Sequence, residues 1–196
     1  MFKRIFKNKI AQKATGYVIV IALVVIVTSV FLFLENRSKN RVQNVGEENR
    51  GKYAEDIRDD VLYRVTNVLD GDTLVANVSG HEVTVRLIGI DTPEIVDPRK
   101  PVQCYGKEAS AKAQEILYNK EIYLEKEISK GDYDQYGRVL AYARLQDGIS
   151  YNKYMIENGF AREYTFNKEK LKYQKEYKDA QKIAKKSKLG MWGECK

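Results

Sequence analysis

A single histidine, two cysteines and three prolines stand in 196 residues. His81 follows a Ser-Gly turn at 79–80, and no second His or Cys joins it at a metal-ligand spacing. That excludes a zinc site built on it and leaves His81 as an exposed turn residue. Charge is absent altogether from residues 14–34, where 17–27 and 30–34 are almost wholly apolar. A stretch of that length crosses a hydrocarbon core of roughly 30 Å, and apolarity on every face argues against a buried core helix. Lys3, Arg4, Lys7, Lys9 and Lys13 precede it, and no clear small-x-small cleavage site follows it. Residues 1–14 therefore read as a basic N-terminal segment and residues 15–34 as a transmembrane helix, an uncleaved signal anchor. The expected orientation is N-terminus inside and domain outside, as a single-pass protein of the cell membrane. Arg37, Lys39 and Arg41 after the segment reduce the charge asymmetry. Removal of the segment, with secretion of the rest, is the alternative.

Aliphatic runs are missing from residues 35–60, which are rich in Asn, Arg, Glu and Lys. Such a stretch cannot bury a core and reads as a polar linker, leaving 61–196 as the folded domain. A basic excess is missing from that domain too. Nine of the 34 Lys and Arg lie in residues 1–50 against three acids, so residues 51–196 carry 25 against 24. The high overall charge belongs to the membrane-flanking sequence and is no argument for polyanion binding. Locally, residues 168–188 hold nine lysines and three acids, either a landing surface for polyanions or a solvated helix face. Nothing in the chain implies a protein partner.

What is present is concentrated in residues 70–94. β-Branched and aliphatic runs from Val68 to Ile90 are broken by Asp-Gly at 70–71 and Ser-Gly at 79–80, the residue types of tight turns. Asp72, Asp91, Glu94 and Arg86 lie at strand ends or one turn beyond, where a folded hairpin could gather them. A hard cation such as calcium takes carboxylate and carbonyl oxygens, which Asp72, Asp91 and the Thr92 carbonyl supply. Glu94 could take a proton from water. Arg86 offers a planar fork that fits two phosphate oxygens. These are the parts needed to hydrolyse a phosphodiester. The same residues also suit ordinary turn chemistry, with Pro93 fixing a bend and the acids solvated.

Three stretches in order decide between these readings: Val68-Leu69-Asp70-Gly71-Asp72-Thr73, then Arg86-Leu87-Ile88-Gly89-Ile90-Asp91-Thr92-Pro93-Glu94, then Tyr136-Gly137-Arg138-Val139-Leu140-Ala141-Tyr142. Together with Tyr105-Gly106-Lys107-Glu108-Ala109 and Asn158-Gly159-Phe160-Ala161-Arg162, they resemble the thermonuclease family over about residues 63–192. The resemblance implies an α+β domain, an OB-fold five-stranded β-barrel with three α-helices, here preceded by one transmembrane helix. It implies a calcium-dependent nuclease cutting DNA and RNA and leaving 3′-phosphates. Carried onto matching positions, Asp72, Asp91 and the Thr92 carbonyl hold calcium, with Asp70 lending charge behind them. Glu94 orients or deprotonates the attacking water, and Arg86 and Arg138 bind the scissile phosphate. Arg138 could instead be a salt-bridge partner of Asp132 or Asp134. By the same resemblance Tyr136 and Tyr164 flank the nucleotide, although Glu163-Tyr164-Thr165-Phe166 stands where the family is richer in tyrosine. The rival from another class is a non-catalytic nucleic-acid-binding OB module. A membrane-tethered adaptor is a third.

Around these motifs the sequence predicts a first strand over 62–69, a helix over 105–118, strands over 121–128 and 139–145, and a short helix over 150–158. Residues 95–103 read as a loop. A last helix carries Tyr173, Tyr177, Ala180 and Ala184 on one face, and Met191 and Trp192 close the domain. Cys104 and Cys195 could form one disulfide in an oxidising exterior, tying the chain's end to the loop before the first domain helix, or remain two thiols.

Overall fold

The computed structural model describes residues 28–29, 53–95, 101–127, 129, 131–166 and 170–195. The chain divides into two units, residues 1–44 and 45–196. In the first, Thr28 and Ser29 are helical and exposed; the rest of the expected membrane segment lies outside the described residues. Among the described residues no helix is long and apolar enough to cross a membrane.

In the second unit, alternating apolar residues build β1 (Leu62–Val68), β2 (Thr73–Val78) and β3 (His81–Leu87). Val83, Val85 and Leu87 of β3 point inward while Glu82, Thr84 and Arg86 alternate with them, and His81 is exposed at the strand's start. A two-residue strand β4 (Ile90–Asp91) follows, then helix α1 (Gly106–Leu117), β5 (Glu121–Lys126), β6 (Val139–Leu145) and α2 (Tyr151–Glu157). Strand β7 (Arg162–Glu163), α3 (Gln174–Lys186) and the single turn α4 (Met191–Glu194) complete the chain. The five long strands close a barrel in the order β1-β2-β3-β6-β5, and β4 pairs with β7 as a separate two-stranded piece. The closed barrel with packed helices is the architecture expected of an OB-type fold.

Two pairings place the functional stretches. β2 and β3 are antiparallel with Thr73 opposite Arg86, and β3 runs parallel to β6 with Arg86 opposite Leu140. The start of β6, and with it Arg138, thus lies beside the start of β2. The core is filled by Leu74, Leu87, Ile90, Ile122, Leu124, Tyr151, Met155 and Ile156, all fully buried. Tyr177, Ala180 and Ala184 are the buried face of α3, so its stripe serves packing. His81 is exposed and stacks on Tyr53 with ring centroids 4.3 Å apart.

The folded domain begins earlier than the composition indicates. Residues 53–60, expected as linker, include a 3₁₀ turn (Ala54–Asp56) with Ala54 and Ile57 in the core. The Ala54 N–H donates to the Tyr133 hydroxyl at 2.8 Å, and Tyr63 OH accepts from Arg58 N–H at 2.8 Å. Two small apolar side chains suffice because the barrel supplies the partners. At the other end Cys104 and Cys195 form a disulfide, Cα–Cα 5.9 Å, closing 91 residues. By chain-entropy reasoning such a cross-link stabilises by about 4–5 kcal/mol.

Candidate active site

The turn between β1 and β2 is built by its own side chains. Asp70 Oδ1 accepts the Asp72 N–H at 3.0 Å, and the Leu69 N–H bonds the Thr73 carbonyl at 2.9 Å. From the core, the buried Tyr151 hydroxyl donates to the Gly71 carbonyl at 2.8 Å. Gly71 is required by close approach: a Cβ there would lie 2.6 Å from Thr92 Cγ2. Asp70-Gly71-Asp72 and Thr92 are therefore pressed together, and the Thr92 N–H donates to Asp72 Oδ2 at 3.1 Å.

Asp72, 6% exposed, is the hub. Its Oδ1 accepts the Thr73 hydroxyl at 2.9 Å, and its Oδ2 meets the Arg86 guanidinium at 3.0 Å. Arg86 also lies 3.9 Å from Asp91 Oδ1 and donates to the backbone carbonyls of Leu87 and Ile90. One cation thus sits among two carboxylates and two carbonyls. Arg138 approaches from β6: its Nε is 2.7 Å from Asp134 Oδ2, and its Nη1 is 3.4 Å from the Thr73 hydroxyl. Thr73 links the Arg138 side chain to the Asp72 carboxylate. Asp134 also accepts the N–H groups of Tyr136 and Arg138, so the expected salt-bridge partner exists and fixes the arginine at the site's edge.

Burial, reinforced by neighbouring negative charge, raises two of the acids. Burial, then the Asp72 charge, pushes the Asp70 carboxyl up to about 7 from 3.8. Burial and Asp72 also raise Asp91, against Arg86 and Arg162, while Glu94 adds to the rise. An acid whose folded pKa lies above its unfolded one destabilises the fold as pH climbs between the two values, because the unfolded chain ionises first. For Asp70 that window runs from about pH 4 to 7. In the presence of a chelator, Asp70→Asn should raise thermal stability at pH 7.5, on the order of 3 kcal/mol, with no gain at pH 3.5. Thermal unfolding at the two pH values checks this; equal gains at both would show that charge is not the cause.

Among the described residues no three His, Cys, Asp or Glu side chains converge as a metal cage. Asp72 and Asp91, which both face Arg86, and the buried Asp70 behind them nevertheless offer a set of carboxylate oxygens. That donor chemistry fits a hard divalent cation completed by carbonyl and water oxygens. In front of it lies a cleft of about 560 Å³ lined by Arg86, Asp91, Arg138, Tyr136, Tyr164 and Phe166. Tyr136, Tyr164 and Phe166 are 59, 46 and 58% exposed, unusual for aromatics and suited to stacking.

The structure therefore brings Asp70, Asp72, Asp91, Thr92, Arg86 and Arg138 together and sets Tyr136 and Tyr164 on the adjoining cleft. Glu94 is not among the residues lining that cleft. It follows Thr92-Pro93, half-buried, and its charge reaches Asp91. Sequence reasoning missed Thr73 and Phe166, and noted Asp134 only as a salt-bridge partner. The motif Asp-Gly-Asp-Thr contains Thr73, which strand alternation puts on the face opposite Leu74 and together with its cross-strand partner Arg86, whereas nothing local distinguishes Phe166.

Residues 84–194 match the family model described as staphylococcal nuclease homologue. The thermonuclease of Staphylococcus hyicus is 35% identical over 179 residues, covering 91% of this chain and 96% of that protein. The thermonuclease of Staphylococcus intermedius is likewise 35% identical, covering 92% of this chain and 98% of its own length. Endonuclease YncB of Bacillus subtilis is 36% identical over 125 residues, 63% of this chain and 58% of that protein. With a closed five-stranded barrel carrying a carboxylate and arginine cluster on a matching stretch, the chain belongs to the staphylococcal nuclease family.

Proposed function

We propose that this nuclease hydrolyses DNA and RNA phosphodiesters with calcium, leaving 3′-phosphates. The observation that carries the reading is the line Asp91, Arg86, Asp72, Thr73, Arg138: carboxylates for a cation and two guanidinium groups joined through one threonine, beside an aromatic cleft. Asp72, Asp91 and the Thr92 carbonyl would hold the metal, whose positive charge polarises a phosphate oxygen when bound. Arg86 and Arg138 bind the remaining phosphate oxygens, and their donors gain strength as negative charge builds on those oxygens in the transition state. Glu94 orients the attacking water and accepts its proton. The water oxygen bonds to phosphorus as the bond to the 5′ oxygen breaks; the 5′ oxygen takes a proton from solvent to leave as a hydroxyl, and the phosphate stays on the 3′ side. Tyr136 and Tyr164 hold the flanking bases by stacking, which tolerates any sequence.

The nuclease is tethered to the outer face of the membrane through residues 15–34, where external calcium is available. The uncharged run between basic flanks supports this reading.

The test is hydrolysis of 5′-labelled single-stranded DNA by the full chain in detergent, with calcium and then with excess chelator. Cleavage is expected only with calcium, and the labelled products should shift in mobility on treatment with a 3′-phosphatase. Cleavage unchanged by the chelator would remove calcium from the mechanism. Tight binding without cleavage would leave a nucleic-acid-binding module.

A further inference from the structure

Glu94 is held at its backbone by a residue nine positions away. The Glu94 N–H donates to Gln103 Oε1 at 3.0 Å, and the Gln103 N–H donates to the Glu94 carbonyl at 2.9 Å. Gln103 in turn accepts the Gly106 N–H at 3.0 Å, which builds this two-bond clamp onto the first turn of α1. The turn and the Glu94 segment are in tight contact. A Cβ at Gly106 would lie 2.5 Å from Ile95 Cγ2 and 3.0 Å from the Pro93 carbonyl, so no larger residue fits. Tyr105, in the left-handed region at φ 68°, stacks on Phe160 with ring centroids 5.6 Å apart. Between Gln103 and Tyr105 stands Cys104, bonded to Cys195 at the end of α4. That last turn is itself anchored, since the Met191 N–H donates to the Gly159 carbonyl at 3.0 Å. A strap thus runs from the end of the chain, covalent through Cys195 and Cys104 to Gln103 and completed by two hydrogen bonds to the backbone of Glu94.

We propose that Gln103 and the Cys104–Cys195 bond position Glu94, so that turnover depends on the oxidation state of this cysteine pair. The proposal rests on Glu94 acting as the proton acceptor described above. A base must meet its water within hydrogen-bond reach, and a displacement of about 1 Å can cost about a hundredfold in rate. Arg86, Arg138 and Tyr136 are carried by β3 and by the segment leading into β6, whereas the strap joins the segment after β4 to α4, so the phosphate-binding arginines are held independently of it. Gln103 is a positioning residue: it touches Glu94 and not the phosphate site. Reduction by a dithiol delivers two electrons and two protons to the pair, leaving two thiols, while the dithiol closes to its own disulfide. The reverse reaction restores the strap.

The experiment compares kcat and KM on single-stranded DNA with calcium for the full chain in detergent. The oxidised protein, the dithiothreitol-reduced protein, the Cys104→Ser/Cys195→Ser double variant and Gln103→Ala are measured side by side. Each is checked for folding by thermal unfolding. Reduction should lower kcat about tenfold with KM within about twofold, and reoxidation should restore it. The double variant should be equally slow and insensitive to dithiol. Gln103→Ala, with the disulfide intact, should show the same kcat loss at unchanged KM. This variant tests the positioning of Glu94 even if reduction unfolds the chain, and a reduced protein that stays folded with unchanged kcat would overturn the dependence on the cysteine pair. Unaltered kcat in Gln103→Ala would overturn the proposal while leaving the nuclease reading in place. An oxidised wild-type protein that binds but does not cleave would overturn both.

Discussion

Glu94→Gln is expected to cleave single-stranded DNA about 10²- to 10⁴-fold more slowly than the wild type, the range for losing a general base. The exchange keeps size and hydrogen-bonding shape and removes the ability to take a proton from water. Glu94 holds its place through its backbone, by Gln103, and that pair of bonds survives the substitution. The unfolding temperature should therefore stay within about 2 °C and KM within a few-fold, with the loss carried by kcat. Steady-state kinetics with parallel thermal unfolding check it. A variant retaining a tenth or more of wild-type kcat would assign Glu94 to packing of its loop.

Arg86→Ala is expected to lose both activity and stability, unlike Glu94→Gln. Removing one donor aimed at developing phosphate charge costs roughly 10²- to 10³-fold in kcat. From the sequence alone Arg86 is a phosphate ligand whose loss is expected to leave folding intact. In the structure its side chain is only 15% exposed and lies 3.0 Å from the buried Asp72 carboxylate. Its deletion strands a buried acid beside Asp70 and Asp91, at a cost of about 3 kcal/mol. Arg86→Lys keeps the charge but not the planar fork, so it should recover much of the stability and little of the activity. Urea unfolding and kinetics on both variants separate the two roles. A stable, inactive Arg86→Ala protein would show that the ion pair with Asp72 contributes nothing to the fold.

How much of this was legible beforehand follows from how far apart the contacts lie in sequence. Strands β1 to β3 announce themselves by alternation, and alternation alone puts Arg86 on the opposite face from Val85 and Leu87. Asp72 and Arg86 meet because the hairpin pairs Thr73 with Arg86, which the Ser-Gly turn determines. Arg138 is harder. It reaches the same site through the parallel pairing of β3 with β6, more than fifty residues on, which no local pattern encodes. The pairing of Asp91 with Arg162 in β4 and β7 is equally remote. Residues 53–60 read as linker because the stretch is polar on average and Ala54 and Ile57 could make only a short helix by themselves; their burial depends on Tyr133 and the barrel, far away in sequence. In the sequence Gln103 is one residue of the 95–103 loop. Its role appears only once Glu94 and the start of α1 are seen back to back.

The most direct test of the site is a calcium titration followed in two ways on the same protein, by calorimetric binding and by rate of DNA cleavage. The full chain should bind one calcium in the cluster with a midpoint that coincides in the two readouts, and Asp91→Asn should shift both midpoints upward together. Cleavage that proceeds without calcium, or an Asp91→Asn protein whose binding and cleavage midpoints equal those of the wild type, would contradict the assignment of the acidic pocket as the metal seat of the reaction.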